Sequence, residues 1–358
     1  LRESLLLTSH RGPDSSGTYF KETKNGFLGL GHNRLSIIDL SSSGAQPMVT
    51  GDIRVIFNGE IYNYKEIRQN LISRGYSFDT STDTEVILKS YAEYGVDCFT
   101  LFRGMFTFVI VDEAKDRVFL VRDSLGIKPL YLYRSDDSLY ACSEIKGLKV
   151  FPEVDQTISK QDIFEFFNTG FLYEPSTGFE YIKKLPPGHY LEMDLADGRM
   201  VIEEFSAPIN PDDRSDLGQK LANAVEMQRL ADVPVGIFFS GGADSSILAC
   251  LANDTNLLFA GYDKDPTSDL DSKYAALISK HLKAKFTSVQ IEGSSTQVNE
   301  ILNSFYFVAD NTEELISDYT FWSTYLLSKA ARDSGYKVML SGMGGDEAFA
   351  GYPRYLVV

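Results

Sequence analysis

The sequence predicts two domains of different class, an α+β domain followed by an α/β domain, on three observations. At 358 residues the chain exceeds one ordinary hydrophobic core and suggests roughly two domains. Its first half is a series of short β-branched and aromatic runs broken by turn signals, with few helices, which reads as antiparallel sheet. Its second half alternates short apolar strands, glycine loops and helical stretches, the βα rhythm of a parallel sheet.

The strand runs of the first half are "LGLGHNRLSIID" (28–39), "IRVIFNGEIYN" (53–63), "GMFTFVIVDEAKDRVFLVRD" (104–123) and "PLYLYRSDDSLYACS" (129–143). "VDEAKDRVF" predicts a hairpin with a five-residue loop. "DTEVILKSYAEYG" (83–95) predicts a helix capped by Asp83, with Val86, Ile87, Tyr91 and Tyr94 on one face and Gly95 at its end. The stretch 196–215, rich in Asp, Pro and Gly, reads as a linker between domains 1–195 and 216–358. Beyond it, "VPVGIFF" (233–239), "NLLFAGYD" (256–263) and "KVMLSG" (337–342) read as buried strands. "SKYAALISKHL" (272–282) and "TFWSTYLLSKAARDSG" (320–335) read as helices. Ligands of such sheets bind at the carboxyl ends of the strands, where the two glycine loops fall.

Composition excludes several function classes. A net charge of −16 argues against nucleic acid, which needs a basic surface. No apolar run is long enough to span a membrane, and Leu1 opens into ordinary sequence without a basic, apolar leader, so a cytoplasmic protein is expected. Cys98, Cys142 and Cys250 lack metal-ligand spacing and are read as buried free thiols of a reducing compartment. A homodimer is left open.

The most informative stretch is "FFSGGADSSILACLA" (238–252), a glycine loop between a strand and a helix. It lacks the Gly-Lys-Ser/Thr ending of the common NTPase loop and the glycine pattern of a dinucleotide fold. Gly241 and Gly242 let successive N–H groups turn inward as an anion nest, and a helix starting near Ser245 adds its dipole. Ser240, Ser245 and Ser246 supply hydroxyl donors, and Asp244 suits Mg²⁺ or a helix cap. Without a lysine to reach a terminal phosphate, the loop is suited to a pyrophosphate that leaves, the chemistry of adenylation. The plain alternative is a tight strand–helix turn.

The loop resembles the PP-loop of the N-type ATP pyrophosphatases, and "SGMGGDEAFAGYPRY" (341–355) resembles the second substrate loop of asparagine synthetases. "HRGPDSSG" (10–17), "GHNRLSIIDLS" (31–41), "QPM" (46–48), "FNGEIYNY" (57–64), "STDTEVIL" (81–88), "RGMFTFVIVD" (103–112), "RDSLGIKPLYLY" (122–133) and "SEIKGL" (143–148) resemble the class II glutamine amidotransferase domain of the same enzymes. The resemblance implies an Ntn-hydrolase-like αββα sandwich of antiparallel sheets, then a PP-loop domain of adenine nucleotide α-hydrolase type.

It also implies site residues. In the family an N-terminal cysteine is the nucleophile, with its own α-amine as base; no residue of this chain matches it. Arg34 corresponds to the residue that holds the glutamine carboxylate, within the binding stretch Arg34, Leu35, Ser36, Ile37 and Ile38. Asn58 and Gly59 correspond to the oxyanion hole, Glu60 lies beside them, and Asp83 corresponds to the partner of the substrate ammonium. Phe239, Ser240, Gly241, Gly242, Asp244, Ser245 and Ser246 correspond to the ATP-phosphate site. Ala260, Gly261, Ser341 and Gly342 correspond to further nucleotide contacts. Met343, Gly344, Gly345, Asp346 and Glu347 form the acceptor and pyrophosphate region, with Asp244 and Asp346 serving Mg²⁺ through pyrophosphate. Taken singly, each has a plain reading as surface arginine, hairpin Asn-Gly or helix cap.

Three departures stand out: the absent cysteine, the absent C-terminal helical region with its catalytic lysine, and Met343 where the family has an acid. Methionine cannot pair with an ammonium. The implied function is a glutamine-dependent, ATP-driven ligase that passes ammonia through a channel to an adenylated carboxylate, aspartate by default. Alternatives are another acceptor such as a sugar uronate, a β-lactam-synthetase-like ring closure, and a non-catalytic nucleotide-binding protein.

Overall fold

The computed structural model describes residues 1–205, 216–252, 256–262, 266–291, 298–318 and 320–352. The chain divides into two compact units, Leu1–Pro211 with Glu313–Ser317, and Asp212–Thr312 with Asp318–Val358.

The strands of the first unit are β1 (Ser15–Thr23), β2 (Gly26–Arg34), β3 (Met48–Thr50), β4 (Ile53–Ile61), β5 (Gly104–Asp112), β6 (Arg117–Arg122), β7 (Tyr131–Arg134), β8 (Leu139–Cys142), β9 (Ile182–Lys184), β10 (His189–Asp194) and β11 (Met200–Glu204). Its helices are α1 (Arg2–Leu7), α2 (Tyr64–Ser73), α3 (Asp83–Tyr94), α4 (Ile145–Leu148) and α5 (Lys160–Thr169). Antiparallel pairing gives a six-stranded sheet ordered β11-β10-β6-β5-β4-β3, a β1-β2 ribbon and a β8-β7-β9 sheet.

Strand alternation explains the layering. Val111, Val118, Leu120 and Leu191 of the large sheet share one core with Leu30 of β2 and Leu132 of β7, so the smaller sheets cover that face. Phe106, Phe108 and Ile110 of β5 alternate with those residues and face the other way. There Phe99 sits in a ring cluster with Phe108, Phe119, Tyr190 and Phe205, at centroid distances of 5.5, 6.2, 5.3 and 5.9 Å. Such edge contacts contribute about 0.5–1.5 kcal/mol each beyond area burial. With α2 and α3 against the large sheet and α1 and α4 against β2 and β8, the unit is an αββα sandwich.

Several expectations need correction. The β5–β6 loop has four residues, because Asp112 pairs with Arg117. Met200–Glu204, inside the stretch read as linker, is the edge strand of the large sheet, paired along β10. Val201 to Glu204 are exposed, as suits a strand at the sheet's edge. Thr82, not Asp83, caps α3, its hydroxyl accepting from the Glu85 N–H. On that helix Val86, Ile87 and Tyr91 are buried and Tyr94 is half-buried, with Gly95 at positive φ ending it. Cys98 is buried, but Cys142 is half-buried and Cys250 exposed. Cys250 lies on an amphipathic surface that apolar spacing alone did not orient.

The second unit contains α6 (Leu217–Gln228), β12 (Val235–Phe238), α7 (Ala243–Ala252), β13 (Asn256–Tyr262), α8 (Pro266–Leu282), β14 (Lys285–Ile291), α9 (Val298–Asn311), α10 (Thr320–Asp333), β15 (Val338–Leu340) and α11 (Gly345–Phe349). Its sheet is parallel throughout, ordered β14-β13-β12-β15. Ile237, Phe239, Leu257 and Phe259 pack with Ala249, Ala252 and Ala275 to form its core. The chain moves outward from β12 through β13 to β14, then returns to the other side of β12 with β15. That reversal opens a crevice at the carboxyl ends of β12 and β15. Among the described residues no helix is long and apolar enough to cross a membrane.

Candidate active site

In the first unit a cavity of about 930 Å³ lies between the layers. Leu30, His32 and Arg34 of β2 and Ile56, Asn58 and Glu60 of β4 share a strand period of two, and all line it. Residues of β2 and β8 line it, and among the described residues each of these strands pairs with one neighbour, β1 and β7 respectively.

Asn58 and Gly59 lie in mid-strand, opposite Thr107 and Phe106, so the hairpin-turn reading does not hold. Gly59 has φ +148°, and a Cβ there would lie 2.1 Å from the Met105 carbonyl oxygen; only glycine fits. The Asn58 amide donates to the Ser143 hydroxyl at 3.4 Å. Arg34 is buried, and its guanidinium donates to the carbonyls of Ser41 (2.7 Å), Ile38 (3.3 Å) and Asp39 (2.5 Å). It thereby ties down the loop carrying Leu35, Ile37 and Ile38 to the cavity. Two of its five donors remain. Ser36 is not a cavity residue: its N–H is taken by Asp14 at 2.8 Å.

Asp83 is buried and accepts from the Ile61 N–H at 3.0 Å. Burial raises its carboxyl to about 6, against the pull of neighbouring N–H groups and Arg34. Glu60 goes further. Burial first, then the Asp83 charge, push it up to about 9. Its Oε2 is buried without a hydrogen-bond partner. Two neighbouring carboxyls that disfavour each other's charge are thus held at different protonation. Lys128, across the cavity, is lowered by burial and by Arg11.

Two cavity residues, His32 and Gln46, and Glu144 next to the cavity residue Ser143 escaped sequence reading. His32 donates Nε2–H to the Phe57 carbonyl at 2.9 Å, and burial lowers its pKa to about 4, leaving a neutral ring with an unpartnered Nδ1. Glu144 accepts from His10 (3.0 Å) and Arg11 (3.2 Å), joining "HRGPDSSG" to "SEIKGL". Gln46 accepts from the Phe57 N–H (2.6 Å) and donates to Thr84 (3.3 Å), pinning β4 to α3. The signal was present in those motifs, but pairwise partners are invisible to local patterning.

In the second unit the loop after β12 turns at Gly241, φ +79°, and α7 begins at Ala243 rather than Ser245. The Ser245 hydroxyl is committed within the loop, to Ser240 (3.1 Å) and the Gly242 carbonyl (3.2 Å), while Ser246 Oγ is buried and unpartnered. Phe239 packs in the core and offers only its backbone. The loop after β15 closes on the same place: Cβ atoms at Gly342 and Gly345 would lie 3.0 Å from Asp244 Cβ and 2.7 Å from Asp244 Cγ. Gly344, at φ +94°, turns the chain, and Asp346 and Glu347 occupy the first turn of α11. Glu347 accepts from Tyr352 at 2.6 Å, Ser341 Oγ accepts from the Met343 N–H at 3.2 Å, and Met343 is 85% exposed. Ala260 and Gly261 continue β13 in register with Val289 and Gln290; their side chains lie outside the described residues, as does the 353–355 end of the second motif. Among the described residues no group of three or more metal-ligating side chains converges.

A cavity lined by two carboxyls, a buried arginine and an Asn-Gly pair, with a glycine loop on a separate parallel sheet, is the arrangement on which the comparisons bear. Residues 1–205 match the family model described as glutamine amidotransferase domain, and residues 216–357 the model described as asparagine synthase. The chain is 34% identical over 97% of its length to a putative glutamine-hydrolysing asparagine synthetase of Methanocaldococcus jannaschii, covering 71% of that protein. It is 34% identical over 99% of its length to asparagine synthetase 1 of Bacillus subtilis and 31% identical over 99% to the amidase chry2 of Gibberella zeae. It spans 56% and 55% of those two relatives. The chain belongs to the glutamine-hydrolysing asparagine synthetase family.

Proposed function

We propose that the chain carries out ATP-driven amide formation with glutamine as nitrogen source. One observation carries the reading: the Glu60–Asp83 pair, Arg34 and the Asn58–Gly59 pair line one cavity, matching the ammonium, carboxylate and carboxamide of a single amino acid. Bound glutamine would place its ammonium between Glu60 and Asp83 and its carboxylate against the guanidinium of Arg34.

In this reading the nucleophile is the family's amino-terminal cysteine, which no residue of this chain matches. Its thiolate attacks the amide carbon. Asn58 Nδ2 and the Gly59 N–H stabilise the oxyanion. Ammonia leaves, and water releases glutamate. In the second unit, backbone N–H groups at the start of α7 hold the departing pyrophosphate while an acceptor carboxylate attacks the α-phosphate of ATP. Mg²⁺, held by Asp244, Asp346 and phosphate oxygens, would neutralise charge on the leaving group. Ammonia, passed between the sites, displaces AMP. This route is chemically needed because a free carboxylate is a poor electrophile.

Residues 1–205, which include the edge strand read as linker, and 216–358 would be the glutaminase and synthetase domains, in a cytoplasmic enzyme that binds no nucleic acid. The acceptor need not be aspartate. Exposed Met343 brings no carboxylate to the acceptor loop, which favours a carboxylic acid without an ammonium, such as a sugar uronate. The test is glutamate release from glutamine, then AMP and pyrophosphate formation across a panel of carboxylates. Asp244→Asn should abolish pyrophosphate formation and spare glutamate release. Absence of pyrophosphate with every acceptor would sink the adenylation step.

A further inference from the structure

The segment Glu313–Ser317 lies in sequence between α9 and α10, helices of the second unit, yet belongs to the first. Its attachment is built, not grazing. Glu314 accepts from the Tyr131 hydroxyl at 2.7 Å and pairs with Lys184, also at 2.7 Å. The Lys184 side chain is only 6% exposed. Glu313 accepts from the Lys146 N–H at 3.1 Å. The Ser317 N–H donates to the Gly170 carbonyl at 3.0 Å, and a Cβ at Gly170 would sit 2.4 Å from Ser317 Oγ.

From Glu314 a continuous chain of polar contacts runs inward. Lys184 lies 3.6 Å from Glu174, which accepts both terminal nitrogens of Arg122, at 3.0 and 2.9 Å. Arg122 is buried and uses all five donors. The other three go to the carbonyls of Leu185 (2.6 Å), Gly126 (2.7 Å) and Lys128 (2.9 Å). Gly126 and Lys128 belong to a turn that Asp123 holds from the other side, accepting from the N–H groups of Leu125, Ile127 and Lys128 at 3.0–3.1 Å. Lys128 is the residue this turn delivers into the cavity, facing Glu60.

We propose that Glu313–Ser317 is a positioning strap for the glutamine cavity, with Glu314 acting through Lys184, Glu174 and Arg122 on the turn that carries Lys128. The proposal rests on the glutaminase reading and adds to it a set of residues outside the cavity that tune glutamine binding. Bidentate contact of buried Arg122 with Glu174 makes the inner links stiff, so the outer pair at Glu314 sets the register of the whole chain.

The experiment uses the full-length protein and the variants Glu314→Gln, Lys184→Met and both together, with Glu314→Asp as the conservative control. The glutamine KM should rise roughly tenfold in each single variant, with kcat changed far less. The double variant should lose no more than the larger single, and Glu314→Asp should recover most of the loss. Amide formation driven by free ammonia should be unchanged. An unaltered glutamine KM in folded Glu314→Gln, or an equal loss of the ammonia-driven reaction, would overturn the strap. If the wild-type protein releases no glutamate, the glutaminase reading falls and the strap with it. Glutamate release by wild type with unaltered variants would sink the strap alone.

Discussion

The two candidate sites are built by opposite means. In the first unit the chemistry sits on side chains rooted in mid-strand, locked by partners on several elements: Arg34 by three carbonyls, Asp83 by the Ile61 N–H, Gly59 by its closeness to β5. In the second it sits on backbone at the ends of two parallel strands, with glycines allowing the loops to meet at Asp244. A side-chain cavity holds groups at perturbed charge but tolerates little change. A backbone cradle constrains only the residues at which the chain turns or touches.

The sharpest way to break this contrast is Gly59→Ala. Its Cβ would meet the Met105 carbonyl, and its φ is foreign to alanine, so destabilisation of several kcal/mol, on the order of 3, and loss of glutamate release are expected together. Thermal unfolding and glutaminase assay check both. Gly345→Ala should be milder and separable: its Cβ would press on the Asp244 carboxyl, cutting pyrophosphate formation by about 10²-fold while glutamate release persists. Equal loss of both activities in Gly345→Ala would erase the distinction between the sites.

A third effect is electrostatic. Glu60 holds its proton far above its usual range, so the folded state binds more protons than the unfolded one between about 4.5 and 9. Stability from this group is full below about 4.5 and is lost as pH rises through about 9. Asp83 acts in the same direction between about 4 and 6. His32, lowered to about 4, acts oppositely, its contribution being lost as pH falls from 6.5. The melting temperature should therefore fall from pH 7 to 9, and Glu60→Gln should flatten that slope. A slope unchanged in Glu60→Gln would mean that the carboxyl ionises freely. The smallest expected effect is Met343→Glu: unchanged melting temperature, with a shift of acceptor preference towards aspartate in the carboxylate panel.

Much of this was legible beforehand because glycine, asparagine and serine patterns encode local turns and strand ends. The parallel sheet, the glycine loop after β12 and the Asn58–Gly59 position follow from short stretches of sequence. What local pattern could not show is which distant groups share a cavity. Asp83 looked like a helix cap because it stands beside Thr82, the true cap; its burial against β4 is tertiary. Glu144, Gln46 and His32 are defined by partners up to 134 residues away. The strand Met200–Glu204 was hidden by the Asp-, Pro- and Gly-rich stretch around it, and Glu313–Ser317 by its position in the wrong half of the chain.

Met343 stands at the tip of its loop with its side chain in solvent, while the glycines on either side, Gly342 and Gly345, bear against Asp244. Variation is thus uncoupled from constraint within four consecutive residues. A lineage could exchange the tip repeatedly, exploring new acids to activate, without once disturbing the groups that handle ATP. Such a loop is a natural point of divergence, and the first place to randomise when building ligases for acids that nature does not amidate.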